Sequence, residues 1–230
     1  MLGRSFSITL LLSGLLLMPL IAPAQTTPSQ PQMRDVFAAM PDSLLPAVSK
    51  NNRLDCIDFI DNGLEAKVRN AFDDYVVLEA LTSDYARFRT SASSVMEMKL
   101  LTADTTAVLC VVTTAQVDAS ATKSSLEDSN ICLFNADWSP LSVRGVNQPS
   151  LSQIPLDAFL DARPDDASAY YDQALRALAD FRPVKVSLSA DEPVATLTLQ
   201  TSQLSKEERG ALGEGTHPVR LRWDGIRFIR

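Results

Sequence analysis

Between Tyr75 and Leu141 the chain is cut into short β-rich runs, joined by connections too short for a parallel crossover. The runs are "YVVLEALT", "YARFRTS", "SVMEMKLL", "TAVLCVVTT" and "NICLFNADWSPL", bounded by Ser, Thr, Asp and Asn clusters. Parallel neighbours need a dozen or more connecting residues, so an antiparallel meander is the economical arrangement. "AVLCVVTT" is almost wholly apolar and is expected to be central, with both faces covered. "QVDASATKSSLEDSN", Gln116 to Asn130, reads as a long polar loop.

Helical patterns flank the meander. "MRDVFAAM" spaces Met33, Val36, Phe37 and Met40 for one helical face, and Pro41 breaks it. "PDSLLPAV" reads as a second short helical turn, with Pro41 tolerated at its first position. Asp165 to Phe181 carries the strongest helical pattern, with Pro164 and Asp165 at its start and Pro183 as its stop. Ala169, Leu175, Leu178 and Phe181 are expected on its apolar face. "VKVSLSA" and "VATLTLQT" then alternate as half-buried antiparallel strands do. "LSKEERGALGEG" has a short helical look. "VRLRW" puts basic residues on one face, which suits an exposed face or an edge.

This order predicts an α+β fold: N-terminal helices followed by an antiparallel sheet, then a second helix plus antiparallel strands. It divides the chain into units at 33–160 and 161–230, the second packed on the first. Trp138 and Trp223 each follow or end a strand, which leaves tandem α+β units open as a weak internal duplication.

The first residues carry an address rather than a fold. Arg4, the apolar run Ile8 to Ile21 and the small residues of "APA" read as a secretory signal peptide over 1–24, cleaved after Ala24. Residues 25–32 read as a flexible mature N-terminus. No cysteine follows the apolar run, so a lipid anchor is not expected. No later stretch approaches the ~20 apolar residues of a membrane helix. The mature chain is therefore expected to be exported, periplasmic or associated with the cell envelope. A formal charge of −7 disfavours nucleic acid and anionic lipid surfaces, which both need clustered cations.

The residues nominate no catalytic, cofactor-binding or metal site. There is no Gly-x-Ser-x-Gly, and the Ser-x-x-Lys match at Ser120 to Lys123 lacks its companion motifs. His217 is the one histidine and reads as a turn residue before Pro218. One histidine without Cys-x-x-Cys leaves no tetrahedral zinc set. Cys110 and Cys132 lie in strand-like runs and could pair if those strands are neighbours; the plainer reading is buried thiols.

The stretch most suggestive of chemistry is "SKNNRLDCIDFIDNG", Ser49 to Gly63, with Asp55, Asp58 and Asp61 spaced three apart. As an EF-hand loop starting at Asp58 it fails at the third position, Ile60, and at the twelfth, Arg69. As a helix capped by Asn52, it places Asp55 near the positive end, Asp58 in solvent and Gly63 at the left-handed stop. Leu54, Ile57, Phe59 and Ile60 then form the apolar side. Asp61 sits at the negative end and is expected to have a partner: Lys67, Arg69 or a backbone N–H.

Several of these elements together resemble a domain-of-unknown-function family of exported, uncharacterised proteins typical of Bacteroidetes. The resemblance lies in "MPDSLLP" (Met40 to Pro46), "NNRLDCIDF" (Asn51 to Phe59), "EMKLL" (Glu97 to Leu101), Asp128–Ser129 before a strand, and Trp138 after it. It implies an exported protein of a Gram-negative envelope, with no activity and no catalytic residue attached. The expected function is a non-catalytic binding module for a protein, peptide or glycan, with strand addition at "VRLRW" as one mode. The alternatives are a two-carboxylate hydrolase and a carrier of small apolar ligands.

Overall fold

The computed structural model describes residues 30–104, 106–119 and 124–230. The signal peptide, most of the 25–32 segment and the Ser120 to Lys123 match lie outside them. The fold is α+β, with four α-helices and two antiparallel sheets among the described residues. The first sheet is a six-stranded meander: β1 (Lys67–Arg69), β2 (Tyr75–Leu81), β3 (Tyr85–Ser91), β4 (Ser94–Ala103), β5 (Thr106–Ala119) and β6 (Ser124–Asn135). The second sheet has the order β10-β9-β8-β7, with β7 (Val184–Leu188), β8 (Val194–Leu199), β9 (Val219–Trp223) and β10 (Phe228–Ile229). Helices α1 (Met33–Ala38) and α2 (Lys50–Asp61) precede the first sheet. Helix α3 (Ala169–Asp180) lies between the sheets in sequence, and α4 (Lys206–Leu212) between β8 and β9.

The first sheet serves two cores, one on each face. On one face α1 and α2 bring Met33, Phe37, Cys56 and Ile57 against Phe88, Met98, Leu109 and Val111. On the other face Val108, Cys110, Val112, Ile131 and Leu133 meet the second sheet, α3 and α4. β5 alternates between the two, so five consecutive residues, Val108 to Val112, are all buried. That is why its sequence lacks the apolar–polar alternation of a one-sided strand.

Four expectations need correction. Within the expected loop, Gln116 to Ala119 and Ser124 to Asn130 are strand. The β5–β6 ladder runs without a break from Val108↔Asn135 to Ala119↔Ser124, so backbone pairing continues past the last apolar residues. Helix α3 begins at Ala169, because Pro164 to Ala167 is taken up by a turn and Ser168 is the N-cap. Its buried face is Tyr171, Ala174 and Leu178; Ala169 is exposed, and Phe181 has already left the helical spiral with φ −141° and ψ 110°. Finally, of the two alternatives for β9 the exposed basic face holds and the edge does not. β10 pairs with it through Phe228↔Trp223 and Ile229↔Arg222, and the Arg220 and Arg222 guanidiniums share Glu192 on the open face.

The two tryptophans do different jobs. Trp138 sits in a turn at φ 68° and donates its indole N–H to the Val36 carbonyl at 2.7 Å, tying that turn to α1. Trp223, in β9, donates to the Thr102 carbonyl at 2.7 Å and ties the second sheet to β4.

The cysteines are free thiols. The register pairs Cys110 with Leu133 and Val111 with Cys132, so Cys110 and Cys132 project from opposite faces of the sheet and cannot join. We expect reducing agent to leave the melting temperature unchanged, and a thiol reagent to label Cys132 ahead of buried Cys56 and Cys110. Burial pushes the Cys56 thiol from 9.0 up to about 11. In that window the unfolded chain loses the thiol proton while the folded chain keeps it, so Cys56 makes stability fall as pH rises. Denaturation across the window should show a smaller loss for Cys56→Ala than for the parent.

Candidate functional site

The aspartate stripe resolves into a capped surface helix. Ser49, not Asn52, is the N-cap of α2. Its N–H donates to the Asn52 side chain at 3.1 Å, and the Asn52 N–H donates to Ser49 Oγ at 3.2 Å, closing a capping box. Asp55 therefore caps nothing and is exposed. At the other end Gly63 has φ 67°, its N–H reaches the Ile60 carbonyl, and the Leu64 N–H reaches that of Phe59, a full Schellman stop. The buried side is Arg53, Cys56 and Ile57, while Leu54 and Phe59 are 39% and 36% exposed. The helix is thus rotated so that a cation, Arg53, faces the protein.

Asp61 does have a partner, but it is Arg34 of α1, bidentate, with one contact at 2.9 Å. Both side chains are nearly half exposed, so Asp61→Ala should cost under about 1 kcal/mol in a urea melt. His217 Nδ1 lies 3.1 Å from Asp161 on the surface, and its N–H donates to the Phe159 carbonyl in the turn before β9. Among the described residues no group of three or more His, Cys, Asp or Glu is placed to hold a metal ion.

The residues carrying the family resemblance build joints. Arg53 is 1% exposed in its side chain and donates to the carbonyls of Val48, at 2.8 Å, and of Met40, while pairing with Asp42 at 3.0 Å. It fixes the whole Met40 to Val48 turn to α2. The second joint holds the sheets together. The outer edge of β7 points its N–H groups at the first sheet, where side chains accept them. Val184 donates to Asp128 at 3.0 Å, Val186 to Ser129 Oγ at 2.9 Å, and Leu188 to Glu97 at 3.4 Å. Glu97 also accepts from the Tyr85 hydroxyl at 2.7 Å and from Arg87 at 2.9 Å. Buried Lys99 donates to the Ala190 carbonyl at 2.6 Å and pairs with Asp84 at 2.9 Å. An edge strand that could recruit foreign strands is thereby closed by acids, a hydroxyl and a cation. Sequence reasoning missed Arg53, Glu97 and Lys99 as joint residues. The available signal was three charges embedded in apolar runs.

Where the sheets diverge they leave a cleft of about 490 Å³. Ile131 and Leu133 of β6 form one wall; Ala195, Leu197, Leu221 and Trp223 of the second sheet form the opposite wall. A strap from Gly145 to Ile154 closes one side, and the turn from Asp224 to Phe228 closes another. Asp224 is the one acid in the lining. Its carboxylate accepts the N–H groups of Arg227 and Ile226, which hold it below the usual carboxylate range. Polar groups come from the amides of Asn147, Gln148 and Gln153 and from Ser150, on the strap. Arg227 adds a cation to the same turn, so the cavity can hold a partly apolar body and orient it by neutral amides and by the Asp224 and Arg227 charges.

No curated protein matches the chain. A solved structure of a domain of an uncharacterized protein from Porphyromonas gingivalis W83 is similar, with a TM-score of 0.68 and 25% identity. It covers 88% of this chain and 98% of that one. The family described as "Protein of unknown function (DUF3256)" matches residues 25–228. That match takes in nearly everything after the predicted leader, and the chain belongs to this family of proteins of unknown function.

Proposed function

We propose that the chain is an exported, non-catalytic binding module of the cell envelope, and that the cleft between its sheets holds the partner. The observation carrying the reading is the cleft itself, whose volume falls within the roughly 300–1,000 Å³ of ligand sites and whose apolar sheet walls face a polar strap and turn with amides, Asp224 and Arg227. The sequence supports export through the leader over 1–24. A carrier of small apolar ligands is the second reading, favoured by the apolar walls. The two-carboxylate reading draws no support from this cavity: a general acid needs a raised pKa, and Asp224 has a lowered one.

The test is a thermal-shift panel of peptides, oligosaccharides and fatty acids on the parent chain and on Leu221→Trp, which fills the cleft. A ligand at 100 times its Kd should add about 2.7 kcal/mol, roughly 5 to 10 °C for a chain of this size, in the parent alone. No shift from any class, or equal shifts in both chains, would remove the cleft from consideration. Fatty acids shifting the parent while peptides and sugars do not would select the carrier. Export is checked separately, by N-terminal sequencing of the envelope-fraction protein, which should begin at Gln25.

A further inference from the structure

The outer edge of β6 is bonded at Leu133 and Asn135, lies under β7 at Ser129, and is open between them at Ile131. Leu133 makes both peptide hydrogen bonds to a single side chain: its N–H donates to Gln148 Oε1 at 2.7 Å, and Gln148 Nε2 donates to its carbonyl at 2.6 Å. Asn135, two residues on, donates its N–H to the Ser139 carbonyl at 3.1 Å. In an antiparallel ladder, alternate residues turn their peptide groups the same way. The β5–β6 register has no bulge, so Ile131 and Ser129 also face outward. Ser129 lies under β7, whose Val186 N–H its hydroxyl accepts at 2.9 Å. Ile131, between Ser129 and Leu133, has neither such a bond nor such a cover. Among the described residues, neither its N–H nor its carbonyl has a partner on this edge.

Ile131 lines the cleft, and it also lines an adjoining hollow bounded by Ser129, Asn130, Leu151 and Arg182. The open peptide group therefore stands where the two spaces meet. Gln148 shows what fits such a place. Its primary amide presents one donor and one acceptor, as a peptide group does, and takes both bonds of the neighbouring outward residue.

We propose that the ligand of the cleft is an extended peptide segment that pairs through both peptide hydrogen bonds with Ile131, laying its flanking side chains into the cleft and the hollow. This rests on the reading of the cleft as the binding site. A peptide satisfies the open N–H and carbonyl in one plane, as strand addition does elsewhere. A fatty chain would cover the same polar groups without bonding them, which costs their desolvation. Gln148 on one side and β7 on the other confine the peptide to the stretch around Ile131, so side chains flanking that contact set specificity.

The probe is acetyl-Thr-Val-Thr-Val-Thr-Val-amide, titrated into the isotopically labelled whole chain and followed by amide resonances. The control is the same probe methylated at every peptide nitrogen, and decanoate is the apolar comparison. The proposal expects the Ile131 amide to shift and its hydrogen exchange to slow, with the methylated probe binding about tenfold more weakly or worse. Gln148→Ala opens the Leu133 rung and should tighten the parent probe several-fold. Equal binding of the two probes, or peptide shifts that spare Ile131, overturns the proposal. Decanoate filling the cleft while neither peptide binds overturns it and leaves the cleft reading standing. Binding by no probe removes both.

Discussion

Arg53→Ala is expected to lower the melting temperature by roughly 10 °C or more. The guanidinium is buried and bonds the carbonyls of Met40 and Val48 together with Asp42. Its removal leaves two buried carbonyls unpaired and a cavity under α2. Breaking such a buried charged network costs about 3–5 kcal/mol, and each kcal/mol moves a domain of this size by about 2–4 °C. Arg53→Lys should recover little, because one ammonium cannot fork to carbonyls from two parts of a turn. Asp42→Ala should cost less than Arg53→Ala, since Asp42 is 62% exposed and both carbonyl bonds remain, although the buried guanidinium loses its one carboxylate partner. Thermal melts of the three variants check the ranking. A lysine chain as stable as the parent would show that charge alone, not the fork, holds the turn.

Glu97→Ala is expected to loosen the second sheet from the first, costing about 2–4 kcal/mol. Glu97 takes the Leu188 N–H, the Tyr85 hydroxyl and Arg87, and its loss strands the first two, while Arg87 keeps Glu79 at 2.8 Å. Hydrogen exchange should quicken at Leu188 more than at Val186, whose acceptor Ser129 is intact. Burial, then the bond to Glu97, pushes the Tyr85 hydroxyl pKa upward. It should therefore ionise at lower pH in Glu97→Ala, read from tyrosinate absorbance. An unchanged Tyr85 titration together with unchanged Leu188 exchange would remove Glu97 from the joint.

The legible parts of the sequence were those where one local pattern sufficed. "AVLCVVTT" announced a strand buried on both faces, and Val184, Val186 and Leu188 announced a one-sided one; both stand so. The strand character of Gln116 to Ala119 and Ser124 to Asn130 is illegible, because the ladder holding them is backbone pairing that their polar composition does not betray. Asn52 was read as the cap of α2, although Ser49 and Asn52 form a reciprocal pair, because either residue suits an N-cap. Arg53, Glu97 and Lys99 carry no structural expectation in the sequence, since their partners are carbonyls and N–H groups that no sequence pattern marks. The cleft was least legible of all. It joins β6, the Gly145 to Ile154 strap, β8 and the β9–β10 turn, which meet only after both sheets have docked.

The central claim is that the resemblance-bearing residues join the layers and leave the cleft between the sheets to bind. The two tryptophans separate the spaces cleanly: Trp223 lines the cleft, and Trp138 is buried in the helical core on the other face of the first sheet. Fluorotryptophan-labelled chain gives one fluorine resonance for each, assigned with Trp138→Phe. Titrated with whichever panel compound stabilises the parent, the Trp223 resonance should move and the Trp138 resonance should stay. A shift confined to Trp138 would place binding on the helical face and contradict the account.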